Sequence, residues 1–102
     1  MEKNMFNVIK KTEESTTTFY LEGRLDTNTA PQLESALAEA TDANKLVLDF
    51  EKMNYVSSAG LRVLLIAQKK MNAFGGMKLV NVSEPIMEIF EVTGFIDILD
   101  IE

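Results

Sequence analysis

The feature that most constrains this chain is a hydrophobic pattern that switches several times between a period of two and a period of about 3.6 residues. Phe6–Lys10 and Thr16–Glu22 read as strands. In the second, Phe19 and Leu21 share one face and Tyr20 and Glu22 the other. Polar Thr12–Ser15 suits the turn between them, and Gly23–Thr29 reads as a loop. Thr29-Ala30-Pro31-Gln32 then matches a capping box with proline in the first turn. It predicts a helix to about Ala40, with Leu33, Ala36, Leu37 and Ala40 as its apolar stripe. Lys45–Phe50, with Leu46-Val47-Leu48 at its centre, predicts a central strand covered on both faces.

After a loop at Glu51–Val56, a helix is expected from near Ser58 to about Phe74. Gly75-Gly76 stops it, and Lys69 and Lys70 lie in its later turns, where the dipole favours cations. Leu61–Ala67 is apolar almost all round except at Arg62, which predicts a helix buried between other elements. Met77–Val82 reads as another strand. Ser83 can cap a last helix with Pro85 early in it, Ile86, Ile89 and Phe90 as its stripe and Gly94 just past its end; Phe95 then packs back on it. The tail Ile98–Ile101 adds an edge strand or a final helical turn. The order β-β-α-β-α-β-α predicts one α/β domain over residues 1–102. It is a mixed sheet of four to five strands with three to four helices packed against it.

Composition narrows the chemistry. The 102 residues contain no cysteine and no histidine, so thiolate chemistry and the commonest general base are excluded. A metal site would have to be built from carboxylates alone, and none is expected. The net charge is −6, without the basic density that nucleic acid or an anionic membrane needs. No stretch approaches the roughly 18 apolar residues of a membrane span, and Met1–Val8 has no signal-like apolar run. The expectation is a cytoplasmic chain with no membrane insertion. Met5, Met53, Met71, Met77 and Met87 are expected at or near the core as gap fillers.

Besides the methionines, three local features could carry function. Tyr55-Val56-Ser57-Ser58-Ala59-Gly60-Leu61-Arg62 lies where a loop hands over to the buried helix. A serine there can cap free N–H groups, or it can accept a phosphate, which the positive end of a helix tolerates. Gly60 lets another backbone approach closely. Neither Ser57 nor Ser58 reads as a nucleophile, since no activating base is at hand and the leading glycine of a G-x-S-x-G elbow is missing. Gly23-Arg24-Leu25-Asp26 reads as a turn, with Asp26 bonding to nearby N–H groups. Parallel strands would bring this loop and the Ser58 loop to one end of the sheet. Gly75-Gly76 is a chain reversal, because no G-K-[ST] follows it.

Y-V-S-S-A-G-L-R-V-L-L (Tyr55–Leu65) resembles the signature of the STAS domain. L-E-G-R-L-D (Leu21–Asp26), followed by Thr29-Ala30, resembles its first loop and helix, and F-E-V-T-G-F (Phe90–Phe95) its last helix. A chain consisting of this domain alone is similar to the bacterial anti-sigma factor antagonists. The resemblance implies a binding switch with no catalytic residue and no cofactor. The unmodified antagonist binds an anti-sigma factor serine kinase and frees a sigma factor. Phosphorylation at the expense of ATP releases it, and a PP2C-type phosphatase restores it. The phosphoacceptor position of the family falls on Ser58. Ser57 stands where many members carry Asp, and is the alternative acceptor. Partner contacts are implied at Asp26, Thr27 and Asn28 in the first loop, and at Ser57, Ser58, Ala59, Gly60 and Arg62 around the helix start. STAS-like modules also serve, unphosphorylated, as adaptor subunits of transport systems, which is the alternative reading.

Overall fold

In the computed structural model, which describes residues 6–40 and 44–102, β1 (Phe6–Glu13) and β2 (Thr16–Leu25) form an antiparallel hairpin. The expected turn contracts to Glu14-Ser15, because Thr12 and Glu13 pair with Thr17 and Thr16. A two-residue hairpin needs a positive φ at its first position, and Glu14 supplies it at 56°. The chain then alternates helix and strand as α1 (Ala30–Ala38), β3 (Lys45–Val56), α2 (Ser58–Asn72), β4 (Met77–Val80) and α3 (Glu84–Thr93), followed by a short 3-10 turn at Phe95–Asp97. The sheet order is β1-β2-β3-β4, and β2, β3 and β4 run parallel. Of the two features expected of Ile98–Ile101, an edge contact forms, as a single bridge from Ile101 to Leu79, whereas the helical turn lies just before this segment, at Phe95–Asp97. Leu79 donates its N–H to the Asp100 carbonyl at 2.9 Å and accepts from the Glu102 N–H at 2.9 Å.

All of the buried sheet residues fall on one face. Phe19, Leu21 and Leu25 of β2, Leu46, Leu48 and Phe50 of β3, and Met77 and Leu79 of β4 meet the helices there. Phe50 and Phe90 close this layer edge to face, with centroids 6.2 Å apart. The opposite face carries exposed Tyr20, Glu22 and Arg24. The expectation that β3 is covered on both sides is therefore corrected: Val47 and Asp49 point to the open face and are only half-buried.

β3 is also twice as long as expected, and the segment Glu51–Val56 is strand and not loop. Two register shifts explain the misreading. Between the pairs Tyr20↔Asp49 and Glu22↔Lys52, β3 advances three residues while β2 advances two. Between Gly23↔Met53 and Arg24↔Tyr55 it advances two against one. Each shift is a bulge with one extra residue, so after Phe50 the buried positions fall at Met53 and Val56 and the two-residue alternation is lost. By the same pairing Gly23, Arg24 and Leu25 belong to β2, and the loop beyond them starts at Asp26.

The helix ends depart from expectation for local reasons. The capping box at Thr29 and Gln32 does not form. The Thr29 hydroxyl turns back to donate to the Arg24 carbonyl at 2.7 Å, and Gln32 donates to the Phe6 carbonyl at 3.2 Å. Ser83 occupies the cap position of α3 in extended backbone without a side-chain cap bond. α2 stops at Asn72 and is not buried all round; Ile66 is 57% exposed. Its buried side holds Leu61, Leu64, Ala67 and Met71 together with Gln68, a buried amide on an otherwise apolar face. The Gln68 amide donates to the Met77 carbonyl at 3.1 Å and accepts from the Asp100 N–H at 3.1 Å, tying helix, sheet and tail together. Met53, Met71 and Met77 are core and Met87 packs against it, while Met5 lies outside the described residues.

Candidate functional site

The carboxyl ends of β2 and β3 are tied together at one point. Leu25 pairs with Val56, and the Ser57 N–H donates to the Leu25 carbonyl at 2.8 Å. The Asp26 loop and the first turn of α2 both leave from this knot, so they lie side by side at one end of the sheet. Gly60 makes the approach possible. A Cβ at residue 60 would stand 2.7 Å from Leu25 Cγ and 3.1 Å from its carbonyl oxygen.

The two serines are used differently. Ser57 is the N-cap of α2, in extended backbone, and its Oγ accepts from the Gly60 N–H at 3.3 Å. Ser58 is the first helical residue and exposed, and its hydroxyl enters no hydrogen bond among the described residues. Arg62 lies one turn further along and is exposed; Ala59 is half-buried and Gly60 buried. Gly60 thus acts on the surface through the backbone approach it permits, not by direct exposure.

In the neighbouring loop, the Asp26 Oδ1 accepts from the Asn28 N–H at 3.0 Å and the Thr29 N–H at 3.1 Å. Its carbonyl accepts from the Ala30 N–H at 2.8 Å, so Asp26, and not Thr29, organises the start of α1. Thr29 closes the loop from within, accepting from the Asp26 N–H at 2.8 Å. Thr27 and Asn28 form the exposed crest. Partial desolvation pushes the Asp26 carboxyl up. The Thr29 N–H, the Thr29 hydroxyl, the Asn28 N–H and the Arg24 guanidinium act in the opposite direction and prevail, so it titrates below the ordinary carboxylate range.

Sequence reasoning alone gives Arg24 and Tyr55 no role. The Arg24 Nε lies 3.6 Å from the Asp26 Oδ2, and its guanidinium stacks on the Tyr55 ring at 4.5 Å. The signal is the strand register, which sets Arg24 directly opposite Tyr55 and is hidden by the bulges. Asp26 thus offers a fixed anion beside an exposed, unengaged hydroxyl at the positive end of a helix. Among the described residues no group of three or more His, Cys, Asp or Glu gathers as metal ligands would, and no helix is long and apolar enough to cross a membrane.

Comparison with known proteins agrees with this arrangement. The STAS domain family model matches residues 7–102. The anti-sigma factor antagonist BtrV of Bordetella bronchiseptica is 36% identical over 84 residues, covering 79% of this chain and 72% of that protein. The anti-sigma-B factor antagonist of Bacillus subtilis is 33% identical over 97 residues, covering 93% and 89%. Among solved structures, an anti-sigma factor antagonist from Mycobacterium paratuberculosis has a TM-score of 0.86 at 21% identity, covering 95% of this chain and 85% of that one. SpoIIAA in its unphosphorylated form has a TM-score of 0.77 at 20% identity, covering 96% and 88%, which shows a shared fold. On the family match and the two curated relatives, the chain belongs to the STAS domain family, among the anti-sigma factor antagonists.

Proposed function

We propose that this chain is a binding switch, not an enzyme, that engages an anti-sigma factor serine kinase when unmodified and is released by phosphorylation of Ser58. The observation that carries the reading is the division of labour between the serines. Ser57 spends its oxygen on the helix cap, and Ser58 keeps an exposed hydroxyl beside the Asp26 loop. That difference favours Ser58 over Ser57 as acceptor. The relatives named as anti-sigma factor antagonists supply the partner class. A PP2C-type phosphatase would reset the switch.

The physical account is electrostatic. A phosphoserine carries a charge of about −1.5 to −2 at neutral pH. At the positive end of α2 it leaves the fold intact. In a covered interface, near the anionic Asp26, the same dianion costs several kcal/mol unless a cation meets it. Since ~1.4 kcal/mol is a factor of ten in affinity, one phosphate suffices to release a partner without a shape change.

The test is incubation with the cognate anti-sigma kinase and ATP, followed by site mapping by tandem mass spectrometry. One phosphate on Ser58 is expected. Ser58→Ala stays unmodified and bound, and Ser58→Asp binds weakly. A phosphate found on Ser57, or Ser58→Asp binding as tightly as the wild type, would refute the assignment.

A further inference from the structure

The patch around Ser58 comprises a handful of residues, whereas a stable protein–protein contact takes roughly 20–30 residues on each side. A partner held there must cover adjoining surface too. Two surfaces adjoin it, the open face of the sheet and the outer side of α2. On the sheet face, exposed Ile9 and Tyr20 stand among Lys11, Glu22 and Lys52, which interleave both signs of charge, and Arg24 stacks on the Tyr55 ring.

The outer side of α2 is different. Ser58, Arg62, Ile66 and Lys69 recur at helical spacing and are all exposed, forming one stripe. Ile66 is also the lip of a groove of about 310 Å³ between α1 and α2, with Leu37, Leu46, Val63, Ala67 and Met71 among its lining. Phe74 forms the far lip at 71% exposure. From Ser58 to Phe74 the surface runs for roughly 24 Å, at the rise of an α-helix. A small-molecule pocket encloses roughly 70–90% of its ligand. This groove leaves two large apolar side chains in the open, which fits a protein segment that brings its own cover.

The groove walls are oppositely charged. α2 carries Arg62, Lys69 and Lys70 and no acid, while α1 carries Glu34 and no base. Lys70 and Glu34 both line the groove, one from each helix, without forming an ion pair.

We propose that this groove is a second contact for the same anti-sigma partner, receiving an amphipathic helix of that protein. Its apolar ridge fills the groove, its acidic flank lies along α2 and its basic flank along α1. The inference rests on the antagonist reading above. It gives the switch two parts: phosphate acts on one end of the contact, and the groove retains residual affinity at the other.

The experiment is calorimetric titration of the cognate anti-sigma kinase with wild type, Phe74→Asp, Lys70→Glu, Ser58→Asp and the double variant Ser58→Asp/Phe74→Asp. Circular dichroism confirms that each is folded. Phe74→Asp is expected to weaken binding at least tenfold, and Lys70→Glu severalfold. Ser58→Asp retains measurable binding, which the double variant loses. If the wild type binds and Phe74→Asp binds within twofold of it, the groove contact is wrong and the switch at Ser58 stands. If the wild type does not bind the kinase, the antagonist reading fails and the groove contact with it. If the wild type alone dimerises in sedimentation and Phe74→Asp is monomeric, a second copy of the chain is the occupant and the proposal is overturned.

Discussion

The Ser57 hydroxyl satisfies a first-turn N–H that would otherwise lack a protein partner, and Ser58 carries no such duty. Ser57→Ala is therefore expected to lower unfolding free energy by about 1 kcal/mol, within the range of lost caps. Ser58→Ala is expected to stay within about 0.5 kcal/mol of wild type, as exposed substitutions do. Urea denaturation of the two variants measures both. Asp26 adds a pH signature. Its folded pKa is lowered, so its contribution is present above the unfolded value of about 3.9 and is lost as pH falls through the lower folded value. Melting temperatures across pH 7 to pH 2 should show a gap between wild type and Asp26→Ala that closes on the acid side. At this scale the sequence was legible where a hydroxyl meets the free N–H groups of a helix start, as a serine does at the cap of α2. It was illegible at Thr29, whose hydroxyl had two backbone uses of similar energy and took the one that closes the loop.

Among the elements, the start of α2 is held against the end of β2 by the missing side chain of Gly60. Gly60→Ala would gain up to about 1 kcal/mol of helix propensity. It would also drive a methyl into Leu25, an overpacking that costs typically about 1–3 kcal/mol. The carbonyl oxygen in that contact cannot rotate away, so the net expectation is a lower melting temperature, read by calorimetry. An unchanged or higher value would show that β2 yields there. Helices and short strands were readable because one face of each repeats in period. The second half of β3 was not, because its two bulges put two exposed residues between buried ones and mimic a polar loop.

For the molecule as a whole, the layered α/β arrangement follows from the alternation of strand and helix, and that much was visible in the residues. The one-sided sheet was not. An apolar run such as Leu46-Val47-Leu48 has the same letters whether its middle residue meets a helix or half-meets water. Gln68 was also hidden, since a single polar residue on an apolar stripe reads as surface. Gln68→Leu is expected to cost about 2 kcal/mol by leaving the Met77 carbonyl unpaired. It should also speed hydrogen exchange at the Glu102 amide, because the tail loses its anchor at Asp100. Exchange unchanged at residue 102 would show that the edge contact holds the tail unaided. The bulges of β3 reach as far as the serines. Each one takes up a single surplus residue, so Met53 and Val56 return to the face of Phe50, and Val56 still meets Leu25 where α2 begins. A further residue inserted there with no bulge to absorb it would spare every letter of the signature and yet turn Val56 outward, a lesion of counting rather than of chemistry.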